Sequence, residues 1–146
     1  MPIISSNSRS NNGRAVFVAG IKSSLPQSTL HAEYRFHKKR AWRFDYFLIP
    51  EQIAIEIEGA TFAQGRHTRG AGFAGDIDKY NTATCADIAV YRVTTADLTN
   101  PDRIVEHVKA IRNMAAHRKI KGIRSDVISE NLYAMRSKRK KRKSKA

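Results

Sequence analysis

A mixed α/β single domain is the fold class this sequence predicts, and three observations carry that expectation. Residues 42–49 form an aromatic and branched run, and residues 52–58 alternate strictly. Two later stretches repeat apolar residues at helical spacing on either side of a short strand-like run at residues 89–94. The length of 146 residues suits one domain with a real core, and a composition of 41% hydrophobic and 27% charged residues is one that folds.

From the start of the chain, residues 5–12 are rich in Ser and Asn, whose side chains offer the backbone local hydrogen bonds and have little to bury. Residues 1–14 are therefore expected to form a flexible arm ahead of a folded domain over residues 15–135. In the alternating run, Ile53, Ile55 and Ile57 share one face while Ala54, Glu56 and Glu58 share the other. Pro50 and Glu51 separate it from the preceding strand, and a turn centred there sets Asp45 opposite Glu56 and Arg43 opposite Glu58. Directly opposed carboxylates destabilise a sheet, so a positive partner is expected between them, and a divalent metal is the obvious one.

Beyond Gly59, four glycines at 65, 70, 72 and 75 interrupt a polar stretch carrying Arg66, His67 and Arg69, which predicts a functional loop rather than a regular element. A helix capped near Asp76 should then run to about Asp87, with Ile77, Tyr80, Thr84 and Ile88 on one stripe and Cys85 facing the core. After the strand at residues 89–94, Pro101 opens a second amphipathic helix that carries Ile104, Val105, Val108, Ile111 and Met114 or Ala115 to about Lys119. His31, His107 and His117 read as surface or packing residues, and Trp42 and Tyr80 as core.

Composition narrows the function. With 27 basic against 13 acidic side chains the chain carries +14, which favours polyanions, nucleic acid first. Eight of the cations lie in residues 136–145, so residues 136–146 are expected to be a disordered basic tail in which Lys138, Arg139, Lys140, Lys141, Arg142 and Lys143 contact phosphates. The other 19 still outnumber the acids. Phosphate contact is also expected of His37, Lys38, Lys39 and Arg40, and of Arg66, His67 and Arg69. No apolar run approaches the roughly 20 residues of a membrane-spanning helix, and no strongly amphipathic basic helix stands out for an anionic membrane surface, so no membrane partner is expected. A single cysteine, Cys85, leaves no internal disulfide and points to a reducing intracellular setting.

The segments Glu33 to His37, Trp42-Arg43-Phe44-Asp45, Glu56-Ile57-Glu58-Gly59, Gly65-Arg66-His67, Gly72-Phe73, Asp78-Lys79-Tyr80-Asn81 and Arg92-Val93-Thr94 carry a resemblance. In this order they look like the small phage and bacterial endonucleases of the PD-(D/E)XK, or restriction-endonuclease-like, superfamily. The resemblance implies a restriction-endonuclease-like core with a central mixed, mainly antiparallel sheet flanked by helices. It implies that Asp45 and Glu56 take the two acid places, with Glu33 in a third place on a preceding helix. Glu58 stands where the superfamily usually has lysine, and Lys79 on the following helix is the natural substitute. Mg²⁺ or Mn²⁺ is the implied cofactor, held by Glu33, Asp45, Glu56 and the backbone carbonyl of Ile57, and the implied setting is the cytoplasm of a bacterial or phage-infected cell.

The chemistry suits these residue types. Phosphodiester hydrolysis needs an activated water and charge stabilisation at phosphorus, which hard cations on carboxylates provide. Glu58 is placed to orient or deprotonate the water, and Lys79 to offset the phosphate charge. The expected function is a divalent-metal-dependent DNA endonuclease with catalytic residues Asp45, Glu56, Glu58 and Lys79. Branched DNA, as for a Holliday junction resolvase, is the first substrate choice, and symmetric cutting of a junction would call for a homodimer. Mismatch nicking and restriction-like cleavage are the catalytic alternatives. A basic protein that only binds nucleic acid is the non-catalytic one, although clustered acids would weaken such a binder.

Deleting residues 136–146 is expected to lower affinity for all DNA forms by a similar factor, because phosphate contacts carry no sequence information. The slope of log affinity against log salt should become shallower by up to about 0.9 for each phosphate that the tail no longer neutralises, measured by titration across a salt series.

Overall fold

The computed structural model describes residues 6–59 and 71–118. Its elements are α1 (Ser6–Ser24), β1 (Thr29–Arg35), β2 (Arg43–Ile49), β3 (Ile53–Glu58), α2 (Ala71–Cys85), β4 (Ala89–Thr94), a short 3₁₀ turn (Asp97–Thr99) and α3 (Pro101–Arg118). The four strands form one mixed sheet in the order β1-β2-β3-β4, flanked by helices. The first three run as an antiparallel meander, while β4 lies parallel to β3. That parallel step needs a crossover, and α2 is the crossover.

Strands β2 and β3 pair as the turn at Pro50 and Glu51 predicts, with Tyr46 opposite Ile55, Phe47 opposite Ala54 and Leu48 opposite Ile53. The pairing stops short of Asp45 and Glu56, however, which corrects the expectation of a direct carboxylate pair. Phe44 and Phe47 pack in the same cluster although three residues apart, so the strand loses its alternation there. The Asp45 carboxylate then takes the Ile57 N–H at 2.7 Å.

Alternation along β3 divides the core. Ile53 and Ile55 pack with Phe17 and Ile21 of α1, Ile104, Ile111 and Ala115 of α3, and Leu48, Val93 and Leu98. On the opposite face Ala54 packs with Phe44 and Phe47 of β2, Ala83 of α2, and Phe36, Ala86 and Ile88. The sheet is thus a layer between α1 with α3 on one side and α2 on the other.

Two polar ties hold the connections. Arg118, at the end of α3, donates through Nε to the Glu51 carbonyl at 2.9 Å and through Nη2 to the Asp87 carbonyl. It thereby joins the β2–β3 turn to the α2–β4 turn. Glu51 is itself buried and accepts the Ser28 hydroxyl at 2.6 Å. His107 bridges the Tyr91 hydroxyl at 2.7 Å and the Asp97 carboxylate at 3.0 Å, fastening α3 to β4 and the 3₁₀ turn.

Four expectations are corrected. The arm assigned to residues 1–14 is helical from Ser6, because Gly13, Phe17 and Ile21 make one buried stripe that docks α1. Residues 1–5, and the basic tail, lie outside the described residues. Gly72 and Gly75 belong to α2, which starts earlier than the glycine content suggests. Cys85 is exposed rather than turned to the core. Glu33 lies on β1, an edge strand whose mostly exposed side chains hide its periodicity, and not on a helix.

Gly13 tests the docking of α1. A Cβ there would meet the Leu98 carbonyl oxygen at 1.6 Å. Gly13→Ala should therefore cost about 1–3 kcal/mol or more, as overpacked sites do. A urea titration checks this, and an unchanged midpoint would mean that α1 is not docked as described.

Candidate active site

The polar part of the site grows out of the apolar layer beneath α2. Along β3 the face that presents Ala54 to α2 continues as Glu56 and Glu58. The crossover carries Lys79 over that face, and its ammonium is in direct contact with Glu56 Oε1. Both side chains are largely buried, with 13% and 15% of their surface exposed, so water screens this pair poorly. The ammonium also sits 4.5 Å from the centre of the Phe44 ring and 5.5 Å from that of Tyr80.

Arg92 lies beside Glu56 in the parallel ladder but reaches Glu58, donating through Nε at 2.8 Å and also through Nη2. Its guanidinium stands 5.1 Å from the Tyr80 ring centre. Each carboxylate of β3 therefore has its own cation. Asp45 faces a backbone N–H instead and is close enough to raise the Glu56 pKa by like-charge repulsion.

Burial is the main cause that lifts the Glu56 carboxyl above its usual range, Lys79 opposes it, and Asp45 and Glu58 add to it. Burial also pushes the Tyr80 phenol up to about 12, with Glu56 next in effect, so it stays protonated at neutral pH. Arg92 is held more firmly charged by its hydrogen bond to Glu58. On the α1 side, Arg14 donates through Nε to the Tyr46 hydroxyl at 3.0 Å and feels the charges of Asp45 and Glu33.

Of the expected site residues, Asp45, Glu56, Glu58 and Lys79 come together. Ile57 lies between the two acids of β3, with its N–H held by Asp45. Glu33 is exposed on β1, in line with Asp45 across the β1–β2 register and at a positive φ of 50°. Among the described residues no three His, Cys, Asp or Glu side chains are grouped as a ready metal cage. Lys79 and Arg92 supply the positive partners that the like-charge argument required, so that argument alone no longer calls for a metal.

His37 does not serve as the expected phosphate contact. It is 2% exposed, and its Nδ1 accepts the backbone N–H groups of Lys39 and Arg40 at 3.1 and 2.9 Å, shaping the turn after β1. That turn leaves Lys38 and Lys39 exposed and sets the Arg40 guanidinium 4.7 Å from the Trp42 ring centre. Arg66, His67 and Arg69, and Lys138, Arg139, Lys140, Lys141, Arg142 and Lys143, lie outside the described residues.

Arg92, Tyr80 and Arg14 are the members of the neighbourhood that sequence reasoning missed as functional residues. A usable signal existed for Arg92, since parallel strands placed in register bring it beside Glu56. Compared with known proteins, the chain matches no family model, no curated protein and no solved structure.

The raised Glu56 pKa has a definite linkage sign. Between the ordinary carboxylate value and the higher folded one, the folded chain holds a proton that the unfolded chain has lost, so stability falls as pH rises through that window. Glu56→Gln removes this slope. Urea midpoints of the two proteins between about pH 4 and pH 8 should show wild type losing stability relative to Glu56→Gln as pH rises through the window. The opposite slope would mean that Lys79 outweighs burial.

Proposed function

We propose that this chain is a divalent-metal-dependent DNA endonuclease, and the observation that carries the reading is the largely buried Lys79–Glu56 pair set beside Asp45 and Glu58 on a basic chain. A protein that only grips phosphates gains nothing from carboxylates collected under a helix, because they weaken its attraction for DNA. A phosphodiesterase uses both signs, acids for the cation and the water and a lysine for the phosphate. The placement of one acid on β2, two on β3 and the lysine on the next helix fits the PD-(D/E)XK pattern with Lys79 in the substitute position. The four-stranded mixed sheet flanked by helices agrees with such a core at the coarse level.

The donor set fits Mg²⁺ or Mn²⁺. These ions keep several waters and need only one or two carboxylates, which Asp45 and Glu56 offer together with the Ile57 carbonyl. Glu33 contributes from the strand edge through charge. Such an ion, when bound, supplies positive charge at the phosphate and a more acidic water.

The remaining work falls to the chain. Lys79, released from Glu56, is near enough to lie against the phosphate and offset charge that builds there in the transition state. Glu58, steered by Arg92, orients or deprotonates the attacking water. Lys38, Lys39 and Arg40 hold the flanking backbone. Branched DNA, cut by a homodimer, remains the preferred substrate, ahead of mismatched or restriction-type sites.

Nicking of supercoiled plasmid and cleavage of a labelled four-way junction in Mg²⁺, against an EDTA control, test the reading. Asp45→Ala and Glu56→Ala should each abolish cutting and leave DNA binding intact or tighter, since each removes a negative charge. Lys79→Ala should slow cleavage by about 10²-fold while affinity changes far less, the mark of a contact made mainly in the transition state. Equal cutting by wild type and Asp45→Ala would remove the proposal.

A further inference from the structure

A cavity of about 290 Å³ opens beside the acid cluster, lined by Asp76, Ile77, Tyr80 and Asn81 of α2 and by Arg92 of β4. Its walls are of two kinds. Ile77 is one of three large hydrophobic side chains left exposed among the described residues, at 43%, and it faces this space. Tyr80 adds an aromatic ring, with the Arg92 guanidinium 5.1 Å from its centre and hydrogen-bonded to Glu58. An isoleucine, a phenol ring and a planar cation suit the faces of a flat π system, because bases stack on aromatic rings and on guanidinium planes alike.

The polar groups suit the edge of such a system. Asn81 brings an amide that both donates and accepts, Asp76 a carboxylate acceptor, and Tyr80 a phenol that stays protonated. A nucleobase edge offers the complementary donors and acceptors. A phosphate would be repelled by Asp76 and is better served by Lys79. The volume lies near the lower end of ligand sites, about 300 Å³, which suits one base and not a base pair.

We infer that this cavity is a subsite for a single unstacked base of DNA next to the phosphate held at the acid cluster. The inference rests on the reading of that cluster as a DNA-cleaving centre, and it narrows the substrate. A base stacked in a regular duplex is not available to such a cavity, whereas junctions, flaps and mismatches present unstacked nucleotides at lower cost.

The test uses the full-length protein in EDTA, so that binding is read without cleavage. Single-stranded DNA carrying iododeoxyuridine is cross-linked by ultraviolet light and the modified peptides are mapped, while affinities for a four-way junction and a blunt duplex are measured in parallel. Cross-links are expected within residues 76–81 or at Arg92. Ile77→Ser and Asn81→Ala alter exposed positions, and their folding is checked by circular dichroism. Each should lower cross-linking and junction affinity by about fivefold, Ile77→Ser by removing an apolar face and Asn81→Ala by removing an edge hydrogen bond, with duplex affinity unchanged.

Cross-links found only elsewhere, or equal weakening on junction and duplex, would overturn the subsite. A protein that cross-links as expected yet cuts no DNA in Mg²⁺ would keep the subsite and lose the nuclease reading, so the two failures are distinguishable.

Discussion

The parallel pairing of β3 with β4 is the constraint on which the rest of the candidate site depends. Parallel neighbours cannot be joined by a tight turn, so the chain must leave β3, cross one face of the sheet and return. That crossing is α2, and it fixes which face of β3 the helix covers. Because side chains alternate along a strand, the face that presents Ala54 to the helix also carries Glu56 and Glu58. Ala54 and Ala83 pack in one cluster between sheet and helix, and Lys79, four residues before Ala83 on the same helix, reaches Glu56. Arg92 follows from the same step, since the register that sets β4 beside β3 sets Arg92 beside Glu56.

Electrostatics turns that geometry into a poised arrangement. Burial disfavours a charged Glu56, and Asp45 and Glu58 disfavour it further, while Lys79 restores part of the balance. A carboxylate whose charge is costly and whose internal cation sits on a flexible stem is suited to exchanging one positive partner for another. Glu58 differs, because its more exposed pair with Arg92 leaves 38% of its side chain accessible and water screens it better. The two acids of β3 are thus inequivalent before any ligand arrives. That inequivalence is what the proposed division between a cation-holding Glu56 and a water-handling Glu58 draws on.

Much of this was legible in the sequence, and the failures have physical reasons. Strict alternation in β3 and the helical stripe of α3 are strong periodic signals, and both elements lie almost where they were expected. The Pro50–Glu51 turn also set the β2–β3 register. Strand β1 was hidden because its side chains are mostly exposed on both faces, which leaves no apolar alternation to read. Helix α1 was hidden because its first half is Ser and Asn, poor helix formers that the burial of Gly13, Phe17 and Ile21 overrides. His37 misled because a histidine among cations suggests phosphate, whereas here the ring serves two backbone N–H groups. Only the fold could show that Lys79 meets Glu56 and Arg92 meets Glu58, since those pairs are 23 and 34 residues apart in the chain.

The layer under α2 changes character within a single strand, and this separates what holds the domain together from what faces a ligand. At Ala54 the face is sealed by Phe44, Phe47 and Ala83, and two residues further along the same row it carries a charged pair. Phe44 belongs to both regions, packing in the apolar cluster while its ring lies under the Lys79 ammonium. An ammonium over an aromatic face gains from the ring quadrupole without being fixed in direction, unlike one locked between carboxylates. The apolar layer therefore does more than support the acids from below. By giving Lys79 a second, non-directional partner in Phe44, it ties the polar row to the packing beneath it.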